Sequence, residues 1–308
     1  MTTHFLAECL STPWALQPER MRAYAVVLAN RYARGAQRAG GMDEDDHGAP
    51  LKADAQVAAQ RAGNARSGAI AVVPVYGTIM QRSSQINICE GGTSCQSISK
   101  QMREANADES ISSIILDVDS PGGSVYGVAE LAAEIRSSAK PVYGIANSLS
   151  ASAGYWLLSQ CVEAYVTPGG EVGSIGVWQA HEDWSKAIDE AGVNVTLISA
   201  GKYKTEGHPY GPLSDETKAF MQQRTDEYYA AFTRDVAKGR KVGVDAVRGG
   251  MGQGRVLGAD EAKAQGMVDG TMTFDQLVKH VQRATGTSTN RRSAQQQAAT
   301  RLQLLSLG

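Results

Sequence analysis

The chain has 308 residues, of which 42% are hydrophobic and 20% are charged, so it can bury a core of one large domain or of two. Its net charge of -2 argues against a dedicated nucleic-acid-binding protein, which would carry a basic excess. The clean apolar runs reach about six residues, against the roughly 20 that a spanning helix needs, so we expect no transmembrane segment and no membrane partner. Residues 1–10 include Glu8 and lack the pattern of a signal peptide, which predicts a cytosolic setting.

Residues 1–67 are predicted to be an N-terminal helical arm followed by a flexible linker. Met21, Tyr24, Leu28 and Tyr32 recur at roughly helical spacing, which favours one helix over residues 12–34. Glycine, alanine and charged residues then dominate up to residue 67, and such a composition is typical of a linker. We therefore expect the arm to be separate from the main core.

Residues 68–285 are predicted to be an α/β core, and the polar residues 286–308 a tail. Apolar strand patterns alternate with helical patterns, which implies βαβ units and a largely parallel sheet. The predicted strands are 69–75, 113–118, 141–146, 164–166 and 195–198, and the predicted helices are 95–107, 125–138, 154–160 and 214–238. Ser214 is expected to cap the last of these helices, ahead of acidic residues in its first turn.

The four cysteines include no CxxC pair, and only Cys89 and Cys95 share a glycine-rich stretch. Two thiols do not complete a tetrahedral site and no histidine lies nearby, so we predict no metal site.

Two segments that follow predicted strands carry candidate chemistry. In the segment 119–124, Gly122 and Gly123 leave backbone N–H groups bare, as an oxyanion hole requires, although an ordinary turn with Ser124 near a helix start has the same pattern. In the segment 147–156, Ser152 stands where a helix begins, which suits a nucleophile. A simple capping role for Ser150 or Ser152 is the alternative.

A third segment, 201–209, contains Lys204. A lysine acts as a base only if burial lowers its pKa, and a solvated loop is the alternative interpretation of this segment.

In chain order, Pro-Gly-Gly at 121–123, Ser-Ala-Gly-Tyr at 152–155, Gly-Ser-Ile-Gly at 173–176 and Tyr-Lys at 203–204 resemble the signal peptide peptidase A family of serine/lysine peptidases. The resemblance spans about residues 68–285 and implies a Clp protease/crotonase fold. It implies that Ser152 is the nucleophile and that Lys204, about fifty residues downstream, is the base. It also implies an oxyanion hole formed by Gly122 or Gly123 together with Ala153, with no cofactor or metal.

The arm, the Gly-Val-Trp-Gln-Ala-His segment at 176–181 and the Gly-His-Pro-Tyr segment at 207–210 resemble the head maturation proteases of lambda-like phages. This branch implies a ring-like homo-oligomer that cleaves scaffold and head proteins in a procapsid within the host cytoplasm. Scaffold, capsid and portal proteins are then the expected partners, and the chain's own termini are further expected substrates. Membrane-bound relatives carry an N-terminal anchor, which we do not expect here.

His181 is the rival base, since Ser152, His181 and Asp183 follow the chain order of the Clp protease triad. His181 and Asp183 are only two residues apart, and a triad would then need unusual geometry, so Lys204 is preferred. We expect His181, Tyr155 and Ser124 to line the substrate groove. Two other functions remain open: a non-enzymatic capsid assembly protein on the same fold, or a crotonase-like acyl-CoA enzyme.

Overall fold

The computed structural model describes residues 13–16, 69–82 and 92–285. The strands in these ranges are short except for three long central ones: β1 (Trp14–Leu16), β2 (Ala69–Tyr76), β3 (Ile79–Met80), β4 (Thr93–Ser94), β5 (Ile111–Ser120), β6 (Gly122–Ser124), β7 (Val142–Ala151), β8 (Glu163–Val166), β9 (Glu171–Gly173), β10 (Val256–Gly258) and β11 (Gly270–Thr271).

Helices follow most of these strands, as the sequence predicts. They are α1 (Cys95–Ala107), α2 (Val128–Arg136), α3 (Ala153–Leu158), α4 (Ser185–Glu190), α5 (Asp215–Arg240), α6 (Val244–Gly249), α7 (Ala259–Ala264) and α8, which spans 274–285 and is described up to residue 285. A 3-10 turn, Met251–Gly254, precedes β10.

The main sheet has the strand order β10-β9-β7-β5-β2, with β8 beside β7 and β11 beside β8. Its central pairs β2–β5, β5–β7, β7–β8 and β7–β9 are all parallel, and β10 adds an antiparallel edge. Ile114, Ile115, Leu116 and Val118 of β5 are fully buried because helices cover this sheet and close both of its faces. The prediction of a largely parallel α/β core is confirmed.

Helix α1 shows why the sequence predicted its bounds correctly. Cys95, Ile98, Met102 and Ala105 are spaced at one face of a helix, and all four are buried in the main core. The Ser94 hydroxyl accepts the Ser97 N–H at 3.1 Å and so caps the first turn.

Helix α5 begins as its capping residue predicts. The Ser214 hydroxyl accepts the Thr217 N–H at 3.1 Å, and Asp215 and Glu216 follow in the first turn. The prediction that Ser214 caps this helix is confirmed.

A second sheet has the order β1-β6-β3-β4, and it places the N-terminal segment inside the fold. Trp14, Ala15 and Leu16 are at most 2% exposed, and β1 pairs antiparallel with β6. The predicted helix over 12–34 and the separation of the arm from the core are therefore wrong for residues 13–16. Pro18 is the physical reason, since a proline seven residues into a helix would break it. The rest of the predicted arm and linker, and the tail 286–308, lie outside the described residues.

The predicted strand 195–198 is also wrong. Residues 193–199 have no regular secondary structure, and Ile198 is 95% exposed. Its apolar residues gave a strand pattern, but no neighbouring strand of the described chain pairs with them.

Candidate active site

Ser152 lies at the sharp turn where β7 ends and α3 begins. Its backbone adopts φ 56° and ψ -119°, a left-handed conformation that is costly for a residue with a side chain. The Ser152 N–H donates to the Gly173 carbonyl at 2.7 Å, which holds this turn against β9. The Ser152 side chain makes no capping hydrogen bond, so the alternative interpretation as a simple N-cap is excluded. A strained serine between a strand and a helix is the arrangement that exposes a nucleophilic oxygen in hydrolases.

Gly122 and Gly123 form the strand β6 beside this serine. A Cβ on Gly123 would lie 1.8 Å from the Ile79 carbonyl oxygen, and one on Gly122, where φ is 102°, would lie 2.8 Å from the Ser152 Cβ. Only glycine permits both the close approach of β3 and the close approach of Ser152. The alternative interpretation of the segment 119–124 as an ordinary turn before a helix is wrong, because residues 119–120 end β5, residues 122–124 form β6, and α2 begins four residues after Ser124.

Ser120 is a positioning residue that sequence reasoning missed. Its hydroxyl donates to the Gly77 carbonyl at 2.6 Å and accepts the Gly122 N–H at 3.1 Å, so it joins the ends of β2 and β5 to the glycine pair. Because the Gly122 N–H is occupied in this way, Gly123 is the better oxyanion donor of the two. The signal was present in the sequence as a serine two residues before Gly122, a spacing at which hydroxyls often accept backbone N–H groups.

Ala153 is the first residue of α3, and its N–H has no acceptor within the helix. It follows Ser152 directly and is completely buried. The structure thus brings Ser152, Gly122, Gly123 and Ala153 together at one point, where the ends of β5, β6 and β7 meet.

An extended peptide, residues 13–16 of the chain itself, lies in the groove beside this point. Its residues pair with β6 in the register Trp14–Ser124, Ala15–Gly123 and Leu16–Gly122. On its other edge, the Trp14 N–H donates to the Trp178 carbonyl and the Trp178 N–H donates to the Trp14 carbonyl, both at 3.0 Å. The groove therefore takes a peptide as an added β-strand between β6 and Trp178.

Lys204 lies in the segment 191–204, whose residues are all exposed. No hydrogen bond joins the Lys204 ammonium to Ser152 within the described part of the chain. The proposed role of Lys204 as a base requires burial, and the single chain does not provide it, because residues 191–204 are all exposed. The structure assembles the serine and the glycines, but it leaves the lysine in solvent.

The rival triad is not formed. The His181 Nε2 lies 3.1 Å from the His208 carbonyl oxygen, and the Asp183 carboxylate accepts the N–H of Ser185, the first residue of α4, at 2.9 Å. Neither contact involves Ser152, so His181 and Asp183 stabilise the segment in which they lie and do not form a triad. His181 is partly exposed.

Tyr155 differs from its predicted groove position, whereas Ser124 lies beside the groove as predicted. Tyr155 is completely buried, and its hydroxyl donates to the Met267 carbonyl at 2.9 Å, so it is a core residue and the prediction is wrong. Burial raises the pKa of the Tyr155 hydroxyl. Ser124 does lie in the groove strand β6, but its hydroxyl accepts the Tyr126 N–H at 3.2 Å.

The described residues offer no cysteine nucleophile and no cluster of metal ligands. Burial raises the pKa values of the Cys95 and Cys161 thiols to about 12, so neither is a thiolate at neutral pH. In the described ranges, no three histidine, cysteine, aspartate or glutamate side chains are grouped to hold a metal ion. No helix in those ranges is long and apolar enough to cross a membrane.

Comparison with known proteins finds relatives in phages and bacteria. The chain is 36% identical over 171 residues to the capsid assembly protease C of Escherichia phage lambda, covering 54% of this chain and 39% of that protein. It is 31% identical over 261 residues to the head-tail preconnector protein GP5 of Enterobacteria phage P21, covering 80% and 51%. It is 30% identical over 214 residues to protease 4 of Salmonella typhi, covering 68% and 34%. The chain thus spans about half the length of these curated relatives, or less.

Among solved structures, the chain is similar to a mutant of ClpP1 from Listeria monocytogenes, with a TM-score of 0.44 and 15% identity over 67% of this chain and 94% of that one. The family described as peptidase family S49 matches residues 134–288. This match covers half of the chain and includes Ser152, Ala153 and Lys204, and the chain therefore belongs to peptidase family S49.

Proposed function

We propose that this chain is a serine endopeptidase of phage capsid maturation, with Ser152 as the nucleophile and Lys204 as the general base. The observation that carries the proposal is the strained position of Ser152 beside the glycine strand β6, in a groove that already takes a peptide as an extended strand. Family membership supports peptide hydrolysis as the reaction.

The chemistry follows from these positions. The Ser152 Oγ attacks the carbonyl carbon of the peptide while its proton passes to the neutral Nζ of Lys204. The N–H groups of Gly123 and Ala153 stabilise the oxyanion, and the proton then moves to the leaving amine. Water next hydrolyses the ester on Ser152, and the serine recovers its proton. No step needs a metal or a cofactor.

Lys204 needs a drier environment than the single chain provides. Residues 176–216 include no buried residue, and several large apolar side chains there are half or more exposed, among them Trp184, Val193 and Ile198. Apolar surface of this extent favours contact with a second copy. We therefore include a homo-oligomer in the proposal, in which a neighbouring copy covers this segment and excludes water from Lys204.

The substrates belong to the proposal as well. Two relatives are named for capsid assembly and for the head-tail preconnector, which supports scaffold, capsid and portal proteins as partners. Such a protease would act in the procapsid, within the host cytoplasm.

The test is a set of single substitutions, assayed by labelling with a fluorophosphonate probe and by cleavage of co-expressed head proteins. Ser152→Ala should lower cleavage by about 10⁴-fold or more and abolish labelling, since only binding and oxyanion stabilisation remain. Lys204→Ala should be similarly inactive, whereas His181→Ala should retain cleavage.

Ser150→Ala is the matched control, because Ser150 lies two residues before Ser152, near the end of β7. The Ser150 hydroxyl is buried without a hydrogen-bond partner among the described residues, so its removal should leave activity and folding unchanged. An inactive His181→Ala beside an active Lys204→Ala would replace the lysine mechanism by a histidine one. A chain that never labels at Ser152, yet supports head assembly, would be a non-enzymatic assembly protein; binding of acyl-CoA without peptidase activity would favour the crotonase alternative.

A further inference from the structure

Residues 13–16 lie in the groove in the way a substrate would. The Val125 N–H donates to the Pro13 carbonyl at 3.3 Å, and hydrogen-bonded pairs alternate along an antiparallel ladder, so Ala15 and Gly123 are the next hydrogen-bonded pair. The intervening residue, Trp14, bonds to Trp178 on the opposite edge. The peptide is thus held on both edges up to Ala15.

The Ala15 carbonyl lies at the catalytic centre. An atom at the Cβ position of Gly122 would be 2.1 Å from the Ala15 oxygen, 3.1 Å from the Ala15 carbonyl carbon and 2.8 Å from the Ser152 Cβ. The carbonyl group and the serine therefore border the same small volume. The ladder directs the Ala15 oxygen to the Gly123 N–H, the proposed oxyanion donor.

The side chains also fit subsites of different size. The Ala15 methyl is completely buried in the main core. Trp14 and Leu16 point to the other face, where they pack with Met80 and Trp178. Of the residues of this segment, the small one therefore occupies the position next to Ser152.

We propose that the enzyme cleaves its own chain between Ala15 and Leu16, and that a small residue such as alanine is what its primary specificity pocket accepts. The inference rests on the proposed function. Ser152 Oγ attacks the Ala15 carbonyl carbon, the bond to the Leu16 nitrogen breaks, and that nitrogen takes the serine proton through the base. Water then releases residues 1–15 with a free Ala15 carboxylate and restores the serine. Until that step, residues 13–16 block the binding of other peptides in the groove.

The experiment follows the full chain by intact mass and N-terminal sequencing after purification. The wild-type chain should yield a product that begins at Leu16 and a peptide of residues 1–15. Ser152→Ala should remain intact. Ala15→Glu should also remain intact, because a buried carboxylate does not fit the pocket, and cleavage should fall by about 100-fold or more. Ala15→Ser, which keeps a small residue at this position, should still be cleaved, and Ala7→Glu, the same exchange outside the strand, should leave cleavage unchanged.

Fluorophosphonate labelling separates the two proposals. Self-cleavage would be overturned if the bond between Ala15 and Leu16 stays intact in the wild-type chain while Ser152 is labelled in that chain or in Ala15→Glu. The peptidase proposal would still stand in that case. An absence of labelling in both chains would contradict the proposed function itself. Cleavage at this bond in Ser152→Ala would assign the cut to another protease and overturn the inference. If Ala15→Glu fails to fold, the results for Ser152→Ala and Ala15→Ser still decide whether the chain cleaves itself.

Discussion

At the scale of single residues, the site depends on positions where a side chain is either essential or forbidden. Ser152 accepts a strained backbone because the Gly173 carbonyl and α3 hold its turn from both sides. Gly123 has the opposite requirement, since β3 lies where a Cβ would be. Steric contacts of the backbone therefore determine the positions of these two residues.

Gly123→Ala should strongly lower the rate of catalysis. The added methyl would lie 1.8 Å from the Ile79 oxygen, so β6 must move away from β3 and carry the proposed oxyanion donor with it. We expect a fall in kcat of about 10²-fold or more, as for loss of an oxyanion donor. Gly169→Ala is the control, because nothing lies within 4 Å of a Cβ there. Full activity in Gly123→Ala, measured by peptide cleavage, would exclude β6 as part of the oxyanion hole.

At the scale of elements, an ion pair joins Arg240 at the end of α5 to Asp269, the residue before β11. The buried guanidinium of Arg240 donates to both Asp269 oxygens, at 3.0 and 2.8 Å, and the Asp269 carboxylate also accepts the Ala164 N–H at 2.7 Å. Burial alone would raise the pKa of Asp269, but the hydrogen bonds and the charge of Arg240 outweigh it and lower that pKa. The contact thus stabilises the fold while Asp269 is ionised.

Asp269→Asn should lower the free energy of unfolding at pH 7 by about 2 kcal/mol, because a hydrogen bond to a charged group is lost and Arg240 is left partly unpaired. The folded-state pKa lies below the unfolded value of about 3.9, so this contribution is present above the unfolded value and lost as the pH falls through the folded one. Urea unfolding at pH 7, 5 and 3 should show the difference from wild type shrinking with acid. Asp226→Asn, an exposed exchange in α5, should change stability by no more than about 0.5 kcal/mol. A constant deficit across this range would argue against the ion pair.

At the scale of the whole molecule, the described chain divides into a packed core and a segment that lacks one. The core gathers Ser152, the glycines and residues 13–16, whereas residues 176–216 include no buried residue. Lys204 belongs to the second part. We expect a neighbouring copy of the chain to cover this exposed segment and so complete the active site.

Mixing two inactive variants tests this expectation. If Lys204 serves the serine of a neighbouring copy, oligomers that combine Ser152→Ala with Lys204→Ala subunits contain some complete sites. Cleavage should then return to a sizeable fraction of the wild-type level after the subunits are dissociated and reassembled together. Each variant reassembled alone is the control and should stay inactive. Mixed oligomers without activity, together with an active wild type treated in the same way, would place both residues of each site in one copy.

The sequence by itself determined the features that local rules control. The continuous apolar run of β5 predicted a strand buried on both faces, the spacing in α1 predicted its helix with correct bounds, and Ser214 predicted the start of α5. Gly122, Gly123 and Ser152 were identifiable because each follows a predicted strand, where parallel strands bring their carboxyl ends together. The α/β class followed from the alternation of strand patterns and helix patterns along the chain.

Only the tertiary structure decided which distant segments meet. Trp14 pairs with Ser124 and Trp178, and its three-residue strand is too short for any period to be recognised in the sequence. Pro13 and Pro18 were the one local sign against a helix there. The exposure of Lys204 was equally hidden, because burial depends on which surfaces meet and not on the residues next to it in the chain. Sequence patterns report the periodicity of an element, whereas the occupant of the groove and the surroundings of the base depend on long-range packing.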